Sequence, residues 1–177
     1  SGVTTMEIVL TGAARDSLKD PATLARIKAL QAWLEQQPEI DRSFSLVEVL
    51  EEMNRAFAGE DLGEHALPSN RKLVEQLLLI YDGKDLYELV NREFQRGRIT
   101  LNLNVHGANE IGRVIERIET HLRAQPIHGI KTEMAGFGRL FSDQEDSIVE
   151  GQLRSFASAF LQILLLMALL FRSFRGA

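Results

Sequence analysis

Two β-α-β passages are the feature of this sequence that most constrains its fold. Residues 5–47 contain an alternating strand, a helix that begins at Asp20-Pro21, and a weaker strand over 40–47. Aspartate suits the N-cap of a helix and proline suits its first position. Residues 99–135 repeat this order of elements. A repeat of this kind predicts an α+β fold with the split βαβ sheet of ferredoxin-like domains.

The alternation within the strands predicts how the sheet is covered. Apolar residues from Ile99 to Val105 alternate with polar ones without interruption, which is typical of a half-buried antiparallel strand. One face of the sheet should therefore carry the helices, while the other is polar or lies against a partner. In the weaker strand we expect Ile40, Phe44 and Leu46 to share one face.

A helical insert over about 48–97 separates the two passages. Its first helix should point Val49, Leu50, Met53 and Phe57 inward, and helical periodicity continues from 86 to 94. Four consecutive apolar residues, Leu77 to Ile80, are more than one helix face can bury. They indicate either core packing with a domain contact or one wall of an apolar substrate pocket. The candidate substrate-binding residues are Met53, Phe57, Leu77, Leu78, Tyr81, Leu86 and Phe94.

An uncharged apolar run lies between Arg154 and Arg172. Its roughly 17 residues would span about 25 Å as a helix, near the lower limit for crossing a bilayer. The run is apolar on every face, which favours a membrane helix over the alternative of a buried core helix. A capping-box pattern at Ser142 and Glu145 predicts a long helix that continues into the run. The candidate membrane-spanning residues are Phe156, Phe160, Leu164, Leu166 and Phe171.

The charges that flank this run predict an orientation. Arginines follow it at once, whereas acidic residues precede it, so the positive-inside rule places the C-terminus in the cytoplasm. We therefore expect residues 1–150 to form an extracytoplasmic domain and 151–177 to contain the start of an inner-membrane transmembrane helix and its cytoplasmic flank. The chain begins with Ser1-Gly2 and shows no signal peptide, so an earlier transmembrane helix is expected upstream.

Composition and motifs argue against several classes of function. The formal net charge of −5 disfavours nucleic-acid binding, and the absence of cysteine removes thiolate chemistry. The four histidines lack metal-binding spacing, and Gly136-Phe137-Gly138 lacks the third glycine of a dinucleotide-binding turn. Glu51 and Glu52 are expected on an exposed helix face. We find no catalytic residues, no metal site and no cofactor site.

Several stretches together resemble a known family of transporters. They are the start of the first strand, MEIVLTG, the insert stretches SLVEVLEEMNRAFAGED and ALPSNRKLVEQLLLIYDG, and the C-terminal GQLRSFASAFLQILLLMALLFRSFRGA. This combination, covering nearly the whole chain, resembles exporters of the resistance-nodulation-division superfamily, of the MMPL-like, hydrophobe/amphiphile type.

The resemblance implies a function and a set of partners. In such exporters a periplasmic loop with ferredoxin-like porter folds lies between the first and second transmembrane helices. The family implies proton-driven export of lipids or other hydrophobic or amphiphilic molecules, with the proton-relay acids in later helices. The implied partners are a lipid-like molecule, the membrane, the remaining domains of the transporter, and an oligomer or periplasmic protein. The alternative is a membrane-anchored periplasmic sensory or adaptor domain that docks a protein; an enzyme is a third class.

Overall fold

A computed structural model defines the fold and divides the chain into two compact units, Ser1–Arg139 and Leu140–Ala177. The structure describes residues 4–58, 66–81, 83, 85–135, 155–156 and 158–163.

The described residues of the first unit include a four-stranded antiparallel sheet. Its strands are β1 (Thr4–Gly12), β2 (Ile40–Phe44), β3 (Arg96–Leu103) and β4 (Ile130–Ala135). Their order across the sheet is β2-β3-β1-β4, and each neighbouring pair is antiparallel. The predicted α+β class is confirmed, and the strand order is that of a split βαβ sheet.

The strand register shows that the two faces of the sheet differ in burial. Ile8 lies opposite Ile99, and both are fully buried. Their neighbours Glu7 and Thr100 also lie opposite each other, but they are only half-buried. Because successive side chains in a strand point to opposite sides, the sheet has one covered face and one open face.

Two helices contribute their buried sides to the core beneath the covered face. They are α1 (Pro21–Leu34) and α5 (Ala108–Ala124). The carboxylate of Asp20 accepts a hydrogen bond of 3.0 Å from the backbone N–H of Thr23, which confirms the predicted N-cap of α1. In α5 the buried residues recur every three or four positions, as an amphipathic helix requires: Ile111, Val114, Ile115, Ile118 and Leu122.

Among the described residues, three helices form the insert between β2 and β3. They are α2 (Leu46–Ala58), α3 (Arg71–Ile80) and the single turn α4 (Leu86–Leu89). Asn70 caps α3, because its side-chain oxygen accepts a hydrogen bond of 3.0 Å from the N–H of Leu73.

The predicted pattern of the weaker strand is wrong. β2 ends at Phe44, which is 40% exposed, whereas Leu46 is buried and begins α2. A register shift between Ile40 and Arg42 breaks the alternation. Ser45 and Glu48 then form a capping box. The Ser45 N–H donates to Glu48 Oε2 (2.7 Å), and Ser45 Oγ accepts a hydrogen bond from the N–H of Val47 (3.0 Å). The chain therefore changes from strand to helix at Ser45.

Three expectations within the insert also differ from the structure. Phe57 is 61% exposed rather than inward, because it lies in the last turn of α2. The helix expected over 86–94 stops at Leu89, where Asn91 forms a turn and its side-chain oxygen accepts hydrogen bonds from the N–H groups of Gln95 and Arg96. Glu51 is buried and forms an ion pair with Lys28 at 2.5 Å, so its expected exposure is wrong.

In the second unit, residues 155–156 and 158–163 are helical. Phe156 and Phe160 are exposed. Leu164, Leu166, Phe171, the capping-box pattern at 142–145 and Gly136-Phe137-Gly138 lie outside the described residues. No helix within the described part of the chain is both long enough and apolar enough to cross a membrane.

Candidate functional site

The candidate site is a cavity of about 480 Å³ between the open face of the sheet and the insert. This volume is within the range of small-molecule pockets. We call it the sheet cavity; it is lined by Glu7, Arg42, Ser43, Phe44, Val49, Tyr81, Asp85, Glu88, Leu89, Arg98, Thr100 and Asn102.

The floor of the sheet cavity is formed by polar residues of β1 and β3. Arg98 lies opposite Val9, one diagonal step from Glu7. Its Nη1 donates a hydrogen bond of 2.8 Å to Glu7 Oε1 across the two strands. Diagonal neighbours on one sheet face lie within reach of long side chains, so the register of β1 and β3 itself creates this ion pair.

The β2 side of the cavity carries a cation and an aromatic ring. Arg42 lies opposite Asn102 and Phe44 opposite Thr100, so both belong to the open face. Because Phe44 adds apolar surface beside the Arg42 guanidinium, this side of the cavity is amphipathic.

The insert supplies the facing wall through Tyr81 and α4. Val90, immediately after α4, forms an isolated antiparallel bridge with Gly97 at the start of β3. A Cβ on Gly97 would lie 2.8 Å from Leu18 Cδ1 and 3.3 Å from Val90 Cγ1. Glycine at this position therefore permits the close approach that holds α4 against the sheet and brings Asp85 and Glu88 to the cavity.

Charge is unevenly distributed between the two walls. The sheet contributes two guanidinium groups and one carboxylate, which is paired with Arg98; the insert contributes two carboxylates, Asp85 and Glu88. Arg98 Nε is buried, and no described residue accepts a hydrogen bond from it. A buried donor without an acceptor is energetically costly, so the packing around Arg98 must offset this loss.

A second group of polar side chains lies between α1 and α2. Gln31 Nε2 donates to Ser43 Oγ (3.1 Å) and to Glu48 Oε1 (2.6 Å), and Ser45 Oγ donates to Gln31 Oε1 (2.8 Å). Burial raises the pKa of the Glu48 carboxyl above its usual value, against the hydrogen bonds that it accepts. Because these groups satisfy one another, we assign them to joining α1, α2 and β2.

The structure separates the predicted substrate-binding residues. Only Tyr81 lines the sheet cavity. Met53 is half-buried and packs against the core, whereas Phe57 is exposed. The four others lie in the hydrophobic core: Leu77, Leu78, Leu86 and Phe94.

Sequence reasoning missed the charged residues of the cavity. It predicted a polar sheet face, but which residues lie opposite Arg98 and Arg42 on the neighbouring strands depends on the register. The contribution of Asp85 and Glu88 depends on where α4 ends. The available signal was the alternation itself, which places Glu7, Arg98 and Asn102 on the open face.

Other features of the described residues offer less chemistry. Between α1 and α5 a groove of about 330 Å³ is lined in part by Trp33 and His121, whose rings stack at 3.6 Å with a 9° interplanar angle. Burial lowers the pKa of His121 below its ordinary value. Within the described ranges, no three His, Asp or Glu residues are grouped so that they could hold a metal ion.

Comparison with known proteins adds no assignment. No protein-family model matches the chain, and a search of curated proteins finds no relative.

Proposed function

We propose that this chain is the periplasmic porter domain of a proton-driven exporter of the resistance-nodulation-division superfamily, of the MMPL-like type. Its task would be to bind lipids or other amphiphiles and pass them on. The observation that carries this proposal is the sheet cavity, which lies between the open face of a split βαβ sheet and a helical insert. The apolar run between Arg154 and Arg172 supports attachment to the inner membrane, with residues 1–150 in the periplasm.

The walls of the cavity suit an amphiphile better than a purely apolar molecule. Phe44, Val49 and Leu89 offer apolar contact, while the charged groups of β1, β3 and α4 offer hydrogen bonds. A small number of placed polar groups within apolar walls is typical of ligand sites. In this proposal the acyl part of a substrate contacts the apolar side chains and its head group contacts the charged ones.

Direct binding tests the proposal. A fluorescent fatty amphiphile titrated into the full chain should show saturable uptake. Asn102→Trp should block uptake, because the indole would occupy the space above the half-buried Asn102. Thr120→Trp is the matched control, since Thr120 is exposed on α5. Absence of saturable uptake, or equal loss in both variants, would contradict the proposal.

The coding sequence around this chain provides a second test. An exporter of this type requires about a dozen membrane spans, a second copy of the domain, and aspartates within later spans. Only one or two spans would count against transport.

A second candidate function is protein docking, and one observation favours it. Leu79 is 82% exposed on α3, and its neighbour Ile80 and Phe57 of α2 are each 61% exposed. Leu79 and Ile80 adjoin in the chain, and contiguous exposed apolar surface is typical of interaction sites. A docking domain should lose its cellular function in Leu79→Glu and keep it in Asn102→Trp, whereas a porter domain should lose it in Asn102→Trp.

A further inference from the structure

We propose that the sheet cavity selects zwitterionic head groups, in which an oxyanion is linked to an ammonium group. Arg42 and Arg98 would bind the oxyanion, and Asp85 and Glu88 would bind the ammonium. The inference rests on the proposed function and deepens it, because it names the chemical class of the substrate.

The first step of the argument concerns Arg98. One edge of its guanidinium is occupied, because Nη1 donates to Glu7 at 2.8 Å. Its Nε is buried and donates to no described residue. The Glu7 contact also restricts the rotation of the side chain. The guanidinium is therefore held in place with its positive charge at the cavity wall, as recognition of a phosphate or carboxylate requires.

Arg42 supplies a second cation on the same wall. It lies opposite Asn102 on the edge strand β2, and it lines the cavity together with Arg98. No described residue accepts a hydrogen bond from its side chain. Two guanidiniums on one wall make that wall positive, and charge-assisted hydrogen bonds to an oxyanion are about twice as strong as neutral ones.

The insert presents the opposite charge. Asp85 and Glu88 line the cavity from the α4 side, and no ion pair joins either carboxylate to a described residue. The bridge between Val90 and Gly97 fixes α4 relative to β3, so the position of these carboxylates follows from the fold. Carboxylates placed in this way favour a cationic group.

These two walls discriminate between classes of ligand. A simple anion would bind the arginines but would also be repelled by Asp85 and Glu88. A simple cation would be attracted by these carboxylates but repelled by Arg42. A neutral head group would provide no charged partner for Arg42, Asp85 or Glu88. A zwitterion satisfies both walls at once, and the apolar side chains Phe44 and Val49 can contact an acyl chain beside it.

The test compares ligands that share one lauroyl chain. Lysophosphatidylethanolamine, lysophosphatidylglycerol and monolaurin would each be titrated into the full chain by displacement of the fluorescent amphiphile. We expect the zwitterionic lipid to bind at least about tenfold more tightly than the other two. Free phosphoethanolamine is a fourth ligand: weaker binding than its acylated form indicates a lipid, and equal binding indicates a water-soluble zwitterion carrying the same chemistry.

Two variants test which wall of the cavity binds which charge of the head group. Arg42→Gln should weaken binding of both phosphate lipids by about tenfold, roughly the loss of one charged hydrogen bond. Glu88→Gln should weaken only the zwitterionic lipid. Both residues are exposed, so neither change should prevent folding. The matched controls are Arg113→Gln and Glu116→Gln, which alter exposed residues of α5 and should leave every affinity unchanged.

Three results would overturn the head-group assignment. Equal affinity for the three lipids would mean that the charges do not select the ligand. Preference for lysophosphatidylglycerol, with no effect of Glu88→Gln, would indicate an anion site. Loss of affinity in the α5 controls would mean that the charge of the whole domain is responsible. In these cases the lipids still bind, so the proposed function stands; absence of binding by every lipid would contradict the proposed function as well.

Discussion

The two faces of the sheet are made from the same strands and differ in almost every property. On the covered face, Ile8, Ile99 and Leu101 are fully buried. On the open face, their direct neighbours in the chain include Glu7, Arg98 and Thr100, which are half-buried and line the sheet cavity. Residues that are adjacent in the sequence can therefore serve separate purposes, one stabilising the fold and the other lining a cavity.

This comparison predicts a large difference in stability between neighbouring positions. Ile99→Ala should lower the free energy of unfolding by about 2–5 kcal/mol, because it opens a cavity in the core. Thr100→Ala should change it by about 1 kcal/mol or less, since Thr100 lies on the open face. Urea unfolding followed by circular dichroism measures both values. Similar losses at the two positions would show that the open face also contributes to the core.

The effect of a substitution on stability can also be compared between a glycine of the sheet and a glycine of a helix. Gly97→Ala should cost about 1–3 kcal/mol, because the new methyl group would crowd Leu18 and Val90 on the covered face. Gly112→Ala in α5 should instead stabilise the protein by about 0.5–1 kcal/mol, because alanine favours a helix more than glycine does and the added Cβ would lie more than 4 Å from every atom outside its own stretch of helix. Thermal unfolding of the two variants should shift the midpoint in opposite directions.

The ion pair on the open face should contribute little to stability. The side chains of Glu7 and Arg98 are 32% and 36% exposed, so water and salt screen their attraction. A double-mutant cycle with Glu7→Gln and Arg98→Gln should give a coupling of about 0–1 kcal/mol. A much larger coupling would place the open face among the stabilising parts of the fold. The ligand affinities of the same variants report whether the pair instead orients Arg98.

The helical layer should show a small dependence on pH through His121. Its pKa is lowered from the ordinary 6.5 by burial, so the folded protein favours the neutral ring. As the pH falls through 6.5, the unfolded chain takes up a proton that the folded chain resists, and stability decreases.

Fluorescence can follow this titration directly, because the sequence contains a single tryptophan and Trp33 stacks on the His121 ring. The intensity should change with a midpoint below 6.5, and His121→Gln should abolish the transition. A midpoint above 6.5 would contradict the effect of burial.

The sequence predicted the sheet and its main helices because both rest on periodicity. The alternation of β1 and β3 and the spacing of α5 are regular over many residues, so the order of elements follows directly. Where the pattern is short, other interactions decide the structure. A bulge and the Ser45–Glu48 capping box redirect the chain after β2, and the Asn91 turn ends α4.

The candidate site was less predictable because its residues come from four separate segments. Pairing of Glu7 with Arg98 depends on a register between strands about ninety residues apart, which no local pattern contains. Tyr81 was among the predicted substrate-binding residues, and it reaches the cavity because α3 ends directly before it. Other apolar residues that were predicted to bind substrate, such as Leu77 and Leu78, pack in the hydrophobic core instead.

The strand order has a consequence for the timing of folding. β1 lies in the interior of the sheet, between β3 and β4, yet it is the first strand in the chain. During synthesis β3 and β4, the strands that pair with β1, are made only after the insert. At about 5–20 residues per second, β3 is therefore completed roughly 5–20 s after β1. During that interval its backbone N–H and C=O groups and its apolar side chains have no strand to pair with. The nascent chain is therefore most vulnerable to aggregation before Arg96 emerges, and a chaperone that binds alternating apolar segments would act in that period.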